Sequence, residues 1–329
     1  MFSPAAAASD AVDNHEKNST HAASFFSVLT YNVNFAYAQR PSRVDPEAVR
    51  VAAALRELDE EVDVACLQET HAGWTTFLAS SPHGAPEFVS PQRRPYKAVV
   101  NVSGGAGGIV VYSKLPILRH STLFPKEDGI KGSWFPMWLG ELQLASKGQR
   151  NKTIILAVVH LRPPLEDDGS AGIFTARRTN PIRRAELQYL AQRIEQFAAA
   201  SSPTRSSGPV IVVGDFNEHD SAPGIQSIQQ RLHLRDALNE FVPPNRETHR
   251  WPFLKGLYIS KKRLDHVLYS SAKEVLTCQA CRVVDGYEEG ASDHQPVVAR
   301  FGVPDDDGDD YEEEEEADVE VKQQQQQTC

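Results

Sequence analysis

Seven short runs of this chain carry β-branched or continuous apolar residues, and that pattern narrows the fold more than any other feature. They are Ser27–Tyr31, Val62–Leu67, Ile109–Tyr112, Thr153–Val159, Val210–Val213, Leu264–Tyr269 and Pro296–Phe301. Successive residues of a strand point to opposite faces, so a run apolar throughout predicts a strand covered on both sides. None approaches the roughly 18 to 20 apolar residues that span a bilayer. Two helices are signalled between them. Asp45-Pro46 precedes "EAVRVAAALREL" and Asn180-Pro181 precedes "IRRAELQYLAQRIEQFAAA", each a capping residue followed by a proline suited to the first helical position. No repeat of fixed period and no Pro/Gly-rich linker divides the series, and Ser201–Pro209 is expected to be a surface loop. One α/β domain of layered sheets is predicted.

Charge separates this core from its ends. Of 44 acidic residues, twelve fall in 304–329 beside a single base, Lys322, leaving 32 acids against 33 Lys and Arg in 1–303. The formal charge of -10 therefore belongs to the tail and not to the domain. Residues 304–329, which include Gln323 to Gln327, predict a disordered acidic and Gln-rich tail; 1–24 predict a disordered N-terminal segment; 25–303 predict the folded domain. The first segment lacks the apolar stretch of a signal peptide and contains Asp10, Asp13 and Glu16, unlike a transit peptide, so a cytoplasmic or nuclear protein is expected. Four cysteines are too few and too scattered for a disulfide framework. Cys278-x-x-Cys281 has no second pair to complete a zinc site and is read as structural thiols.

Polar residues concentrate where the apolar runs end. Asn32 and Asn34 follow "SVLTY", Glu69 follows "VACLQ", and His160 follows "IILAVV". Asp215 and Asn217 follow "VIVVG", Asp265 opens "HVLY", and Asp293-His294 precede "QPVVARF". Strand ends of layered α/β folds converge on one edge, where ligand sites form. Carboxylates brought together there repel unless a cation holds them, and a carboxylate and amide set without thiolates suits Mg²⁺, with Mn²⁺ as the alternative.

In order, "TYNVN", "CLQE", "VVHL", "GDFN", "RLDHVLYS" and "SDHQPV" resemble the motifs of the endonuclease/exonuclease/phosphatase superfamily over residues 26–302, and "GGIVVYSKLPI" resembles a strand-turn that many members carry. The resemblance implies a four-layered sandwich of two mixed β-sheets flanked by helices, as in deoxyribonucleases. It also implies a metal-dependent phosphoric ester hydrolase. Glu69 would be the principal Mg²⁺ ligand, with Asn32 close by and Asp293 ligating or supporting. Asp215 and Asn217 would orient the attacking water and hold a phosphate oxygen. His294, its tautomer set by Asp265, would take a proton or stabilise the pentacoordinate centre, and His160 would donate to phosphate. Either His294 or Asp215 could be the base.

Two positions depart from the superfamily's pattern. Asn34 stands where AP endonucleases carry Asp, which weakens a second metal position, and the "GIVVYS" run offers no glutamate to support a histidine. Substrate choice is expected in two loops. One follows His160 and carries Arg162, Arg177, Arg178, Arg183 and Arg184, with Arg162 the candidate phosphate contact; the other, "ETHRWPFLKG", carries His249, Trp251 and Phe253. His266 is expected to face away from the site, and the glycines around 104–108 lack the Lys-Ser/Thr of a nucleotide P-loop. A monomer acting on a phosphomonoester or phosphodiester is predicted, a small molecule or lipid head group being favoured over nucleic acid. A DNA-repair nuclease and an inactive phosphate-binding scaffold are the competing readings.

Overall fold

Alternate residues of each apolar run enter different cores. In the computed structural model, residues 24–40, 44–101, 105–144, 152–170, 174–200, 208–253, 258–270, 276–287 and 290–303 are described. Strand β1 (Ser24–Asn32) sends Val28 into a central core and Leu29 into an outer one; β2 (Val64–Thr70) does the same with Cys66 and Leu67. Strands β7 (Thr153–His160) and β8 (Val210–Asp215) put Val158 and Val213 into that central core and Val159 and Val212 into a third. The two-sided apolar pattern therefore marks strands in the middle of a sandwich.

The first sheet has the order β13 (Thr277–Val283), β14 (Val297–Val303), β1, β2, β4 (Gly108–Ser113), β3 (Tyr96–Val100). The second runs β5 (Ile117–Leu123), β6 (Met137–Gln143), β7, β8, β12 (Asp265–Ser270), β9 (Leu234–Asp236). Each is mixed: β1–β2 and β7–β8 are parallel and their neighbours antiparallel. Helices α1 (Pro46–Glu57) and α2 (Ala72–Ser80) cover the outer face of the first sheet, and α3 (Thr175–Ala199) and α4 (Pro223–Leu232) that of the second. Between β9 and the site hairpin lies the short α5 (Ala237–Phe241). That hairpin, β10 (His249–Phe253) with β11 (Tyr258–Lys262), stands apart as a two-stranded sheet. The four-layered mixed sandwich is as expected, and among the described residues no helix is long and apolar enough to cross a membrane.

Local deviations have physical causes. The helix expected to open at Asn180-Pro181 starts at Thr175, with Pro181 inside α3. Arg183 ties those early turns together through Thr179 Oγ1 at 2.9 Å, Asn180 Oδ1 and the Ala176 carbonyl. Helix α1 begins at Pro46 as its start signal predicts. Strands β3 and β5 lie at sheet edges with exposed residues alternating, so they carried no continuous apolar run. In β6, Gly140 interrupts the pattern because the Trp138 ring occupies the space a Cβ would need, 2.2 Å away.

The segments 1–23 and 304–329 lie outside the described residues, as does most of the Ser201–Pro209 loop. The last core strand ends at Val303, and 304–329 hold twelve acids with almost nothing apolar to pack. Truncation after Val303 is expected to leave the thermal midpoint and catalytic constants nearly unchanged. A midpoint lowered by several degrees in calorimetry would show that the tail docks on the core.

Candidate active site

Strand pairing, more than loop conformation, brings the polar residues together. His160 and Asp215 end the parallel strands β7 and β8 and face each other in register, and Asp265 pairs with Asp215 from the antiparallel side at the start of β12. Gly214 makes that approach possible. Its φ is +141° and a Cβ there would lie 1.9 Å from the Val159 carbonyl oxygen, so the glycine before Asp215 is demanded by backbone space and conformation. From the other sheet, Asn32 ends β1. Glu69 sits in a left-handed conformation (φ 58°) where the β2–β4 register shifts between Gln68 and Thr70. A bulge of this kind re-aims a side chain, here toward the edge of the sandwich. Asp293 and His294 precede β14, and Ser292 Oγ donates to the Asn32 carbonyl (2.7 Å) while accepting the His294 amide (3.1 Å).

One oxygen lies at the centre. Asp215 Oδ2 accepts from Asn32 Nδ2 at 3.1 Å and lies 3.5 Å from His160 Nε2 and 3.4 Å from His294 Nε2. The same Asn32 amide also donates to Glu69 Oε1 (3.0 Å), while its Oδ1 accepts the Asn34 amide (3.0 Å). Glu69 Oε2 accepts the Phe35 amide at 2.9 Å. Asn217, at φ 50°, donates its backbone amide to Asp215 Oδ1 (2.8 Å) and its side chain to the Leu161 carbonyl (3.1 Å). Asn32, His160, Asp215, Asp265 and His294 are buried, whereas Glu69, Asp293, Asn34 and Asn217 are partly exposed. The site is thus a buried imidazole–carboxylate floor under an acid and amide rim.

Each histidine has its orientation set from behind. His294 Nδ1 is 2.8 Å from Asp265 Oδ2, which as a carboxylate accepts, so Nδ1 carries the proton and Nε2 faces Asp215. Burial works against the charged imidazole, but the Asp265 and Asp215 carboxylates outweigh it and raise its proton affinity well above that of a free histidine. His160 Nδ1 lies 3.1 Å from the Ala106 carbonyl in the glycine-rich loop, and its ring stacks on Phe135 with centroids 4.2 Å apart. The missing glutamate partner is therefore replaced by a backbone oxygen, leaving Nε2 toward Glu69 (3.6 Å) and Asp215.

Burial raises the proton affinity of Glu69, although His160, the Asn32 amide and the Phe35 amide oppose it. Donor atoms of Glu69, His160 and Asp215 lie within 4.8 Å of one another. Two carboxylates this close, one of them reluctant to ionise, fit a divalent cation, which would favour the charged forms. Asp293 differs. Burial pushes it up, yet contacts with His249 and His294 and the Asn34 amide (2.8 Å) hold it below the usual carboxylate range. Asn34, at the departure from the AP-endonuclease pattern, thus steadies Asp293 by donating to it, with its own φ of 62°.

Other candidates take different places. The Arg162 guanidinium is buried over Trp134, 3.2 Å from the ring centroid, and Nη2 donates to the Leu165 carbonyl (2.8 Å) and Asp167 (3.0 Å). Its Nε and Nη1 have no partner among the described residues. Arg183 is buried against Glu218 at 2.9 Å, Arg178 pairs with Glu166 at 3.2 Å, and Arg177 and Arg184 are exposed. His266 lies away from the site, as expected, between Asp236 (2.7 Å) and the Glu218 carbonyl (2.9 Å). His219 is exposed beside Asp220 and Ser221. Arg263 bonds Asn239 and the Pro243 carbonyl and leaves Asp265 to His294. His249, expected from the sequence only as part of a substrate-selecting loop, meets the site directly. An isolated β-bridge to His294 sets it beside the site, with Trp251 stacked on its other side.

Comparison with known proteins identifies the family and the fold. The model of the Endonuclease/Exonuclease/phosphatase family matches residues 29–294. Among solved structures, ANGEL2, a 2′,3′-cyclic phosphatase in complex with adenosine-2′,3′-vanadate, aligns with TM-score 0.60 and 15% identity, covering 85% of this chain and 96% of that one. D. rerio TDP2 complexed with single strand DNA product aligns with TM-score 0.55 and 17% identity over 84% and 98%. The human Nocturnin catalytic domain with bound sulfate anion aligns with TM-score 0.55 and 14% identity over 86% and 98%. Similarity at this level of identity is similarity of fold. No curated protein matches the sequence.

Proposed function

Because the chain belongs to the endonuclease/exonuclease/phosphatase family, we propose that it is a divalent-cation-dependent hydrolase of a phosphomonoester or phosphodiester, with a small or lipid-type substrate. The carrying observation is the convergence of Asn32, His160 and His294 on one Asp215 oxygen, with Glu69 on the rim and Asp265 behind. Glu69 is assigned as the principal ligand of Mg²⁺ or Mn²⁺, with Asn32 and Asp293 beside it. When bound, the cation would polarise the phosphoryl oxygen and offset charge on the leaving oxygen. Asp215 and Asn217 orient the attacking water. His294, held by Asp265, exchanges a proton through Nε2 or stabilises the pentacoordinate centre, and His160 Nε2 donates to a phosphate oxygen. A phosphate contact from Arg162 would fall to Nε or Nη1, which are buried and have no hydrogen-bond partner among the described residues.

Exposed apolar side chains near the site support a substrate with an apolar or planar group next to phosphate. Phe35 follows Asn34 and is 39% exposed; Trp251 adjoins His249 and is 41% exposed. The core is nearly neutral apart from its tail, so net charge does not favour long duplex DNA, whose binding rests on several basic contacts to phosphate. A second reading, hydrolysis at a nucleotide or a single-strand end, is favoured by Trp251, since one exposed indole can stack on a base. The ligands named for TDP2 and ANGEL2 are of that kind.

Specificity constants across sphingomyelin-like lipids, lipid pyrophosphates, sugar phosphates, 2′,3′-cyclic nucleotides and blocked DNA ends test the choice. Small or lipid-type substrates are expected to lead. A DNA substrate preferred more than about tenfold, with a rate falling steeply between about 50 and 200 mM salt, would replace this reading with the nuclease one.

A further inference from the structure

The geometry points to a second metal site of different chemistry, formed by His249, Asp293 and His294, that takes Zn²⁺ or a similar late first-row cation and blocks the catalytic imidazole. Binding at this site follows from the side-chain arrangement alone; its inhibitory consequence rests on the hydrolase reading above.

His249 Nε2 lies 3.6 Å from Asp293 Oδ2, too long for a hydrogen bond but close to the edge of a zinc tetrahedron. With ligand bonds of about 2.0–2.2 Å, tetrahedral donors stand roughly 3.3–3.6 Å apart. A donor atom of His294 completes the set, all three lying within 4.8 Å of one another. The imidazoles face each other at 4.5 Å between centroids, tilted by 57°. Backbone pairing holds them there. His249 bridges His294, the Arg250 amide donates to the Asp293 carbonyl (2.8 Å), and the Gln295 amide donates to the Thr248 carbonyl (2.7 Å).

Two further observations favour a metal. His294 Nδ1 is committed to Asp265 at 2.8 Å, the carboxylate–histidine support typical of zinc ligands, which leaves Nε2 to bind. His249 is buried beside His294 and presents Nε2 to Asp293 Oδ2 at a separation that a bridging cation would fill. Two imidazoles and one carboxylate prefer Zn²⁺, Co²⁺ or Cu²⁺ to Mg²⁺, whereas Glu69 with Asn32 and Asp293 offers hard oxygens. Three protein ligands leave a fourth position open to water or a phosphate oxygen. Occupation would withdraw His294 Nε2 from its exchange with Asp215 and substrate. The Cys278 and Cys281 thiols are poor competitors, since burial pushes Cys278 up to about 12 and Cys281 well above its ordinary value.

The test is Zn²⁺ binding to the metal-stripped full chain in millimolar Mg²⁺, measured by competition with a chromophoric chelator. One tight site is expected, weakened at least about a hundredfold in His249→Gln and unchanged in a Cys278→Ser, Cys281→Ser double variant. Co²⁺ bound to the wild type should show visible ligand-field bands without sulfur charge transfer, a readout that requires no variant to fold. Zn²⁺ should inhibit any hydrolysis supported by Mg²⁺, and His249→Gln should relieve that inhibition. Wild-type Zn²⁺ affinity in folded His249→Gln, loss of binding in the cysteine variant, or a sulfur charge-transfer band would each overturn the site. Zn²⁺ bound as described by a protein inactive on every phosphoester would instead count against the hydrolase reading and leave the metal site standing.

Discussion

Glu69→Gln is expected to lower turnover by at least about a hundredfold while the thermal midpoint stays within a few degrees of wild type. The substitution preserves volume and leaves one oxygen to accept from Phe35 or Asn32, so the fold loses little. It removes the negative charge that neutralisation by a cation requires, and preorganised electrostatic groups of this kind are worth roughly 10²–10³ in rate. Burial already raises the proton affinity of Glu69, so an uncharged side chain is tolerated by the protein and not by the reaction. Excess chelator should abolish wild-type hydrolysis and a returned divalent cation restore it. Undiminished activity in chelator would remove the metal-dependent mechanism; wild-type rates in Glu69→Gln would remove this ligand from it.

Asp265→Asn is expected to act through His294 and to show itself in pH dependence. Asp265 and Asp215 both raise the proton affinity of His294 against the effect of burial. Loss of one carboxylate should move the limb of the pH–rate profile that reports His294 to lower pH by about one unit or more. Turnover should fall by at least about a hundredfold, because asparagine can present its amide and reverse the tautomer; the same change in a serine-protease His–Asp pair costs about 10⁴. Stability follows with a definite sign. A histidine whose folded pKa is raised stabilises the protein fully below its unfolded value of about 6.5 and loses that contribution as pH rises through the folded value. Asp265→Asn should therefore cost more stability at pH 6 than at alkaline pH, compared by denaturant melts. An unchanged profile with reduced turnover would assign Asp265 to packing alone.

The strands that carry the site were legible because they are buried on both faces. Val158 and Val159, or Val212 and Val213, serve two cores at once, which no amphipathic edge strand does. The edge strands β3 and β5 were silent for the converse reason, with alternate residues exposed, Lys97, Val99, Leu118 and His120. Asp215, His160 and Asp265 could be placed because each sits at the end of such a run, and strand register then joins them. What lay hidden was contact between residues distant in the chain. His249 reaches His294 by an isolated bridge between segments 45 residues apart, with no motif or period to mark it. Arg162 was a candidate phosphate contact from its place two residues after His160, but its surroundings could not be read there. Its burial over Trp134 depends on a packing partner 28 residues earlier.

The support of His160 has a consequence for how such a site can change. A carboxylate partner can be deleted by one substitution, as Asp265 can for His294. The Ala106 carbonyl cannot, because every amino acid supplies the same oxygen. Point changes in that loop leave the acceptor in place so long as the backbone path survives, but inserting or removing a residue shifts it by a few ångströms and frees the ring. Heritable variation at this imidazole is thereby steered away from residue identity and toward loop length, and a library of one-residue insertions and deletions between Ala106 and Gly108 would probe it where an alanine scan stays silent.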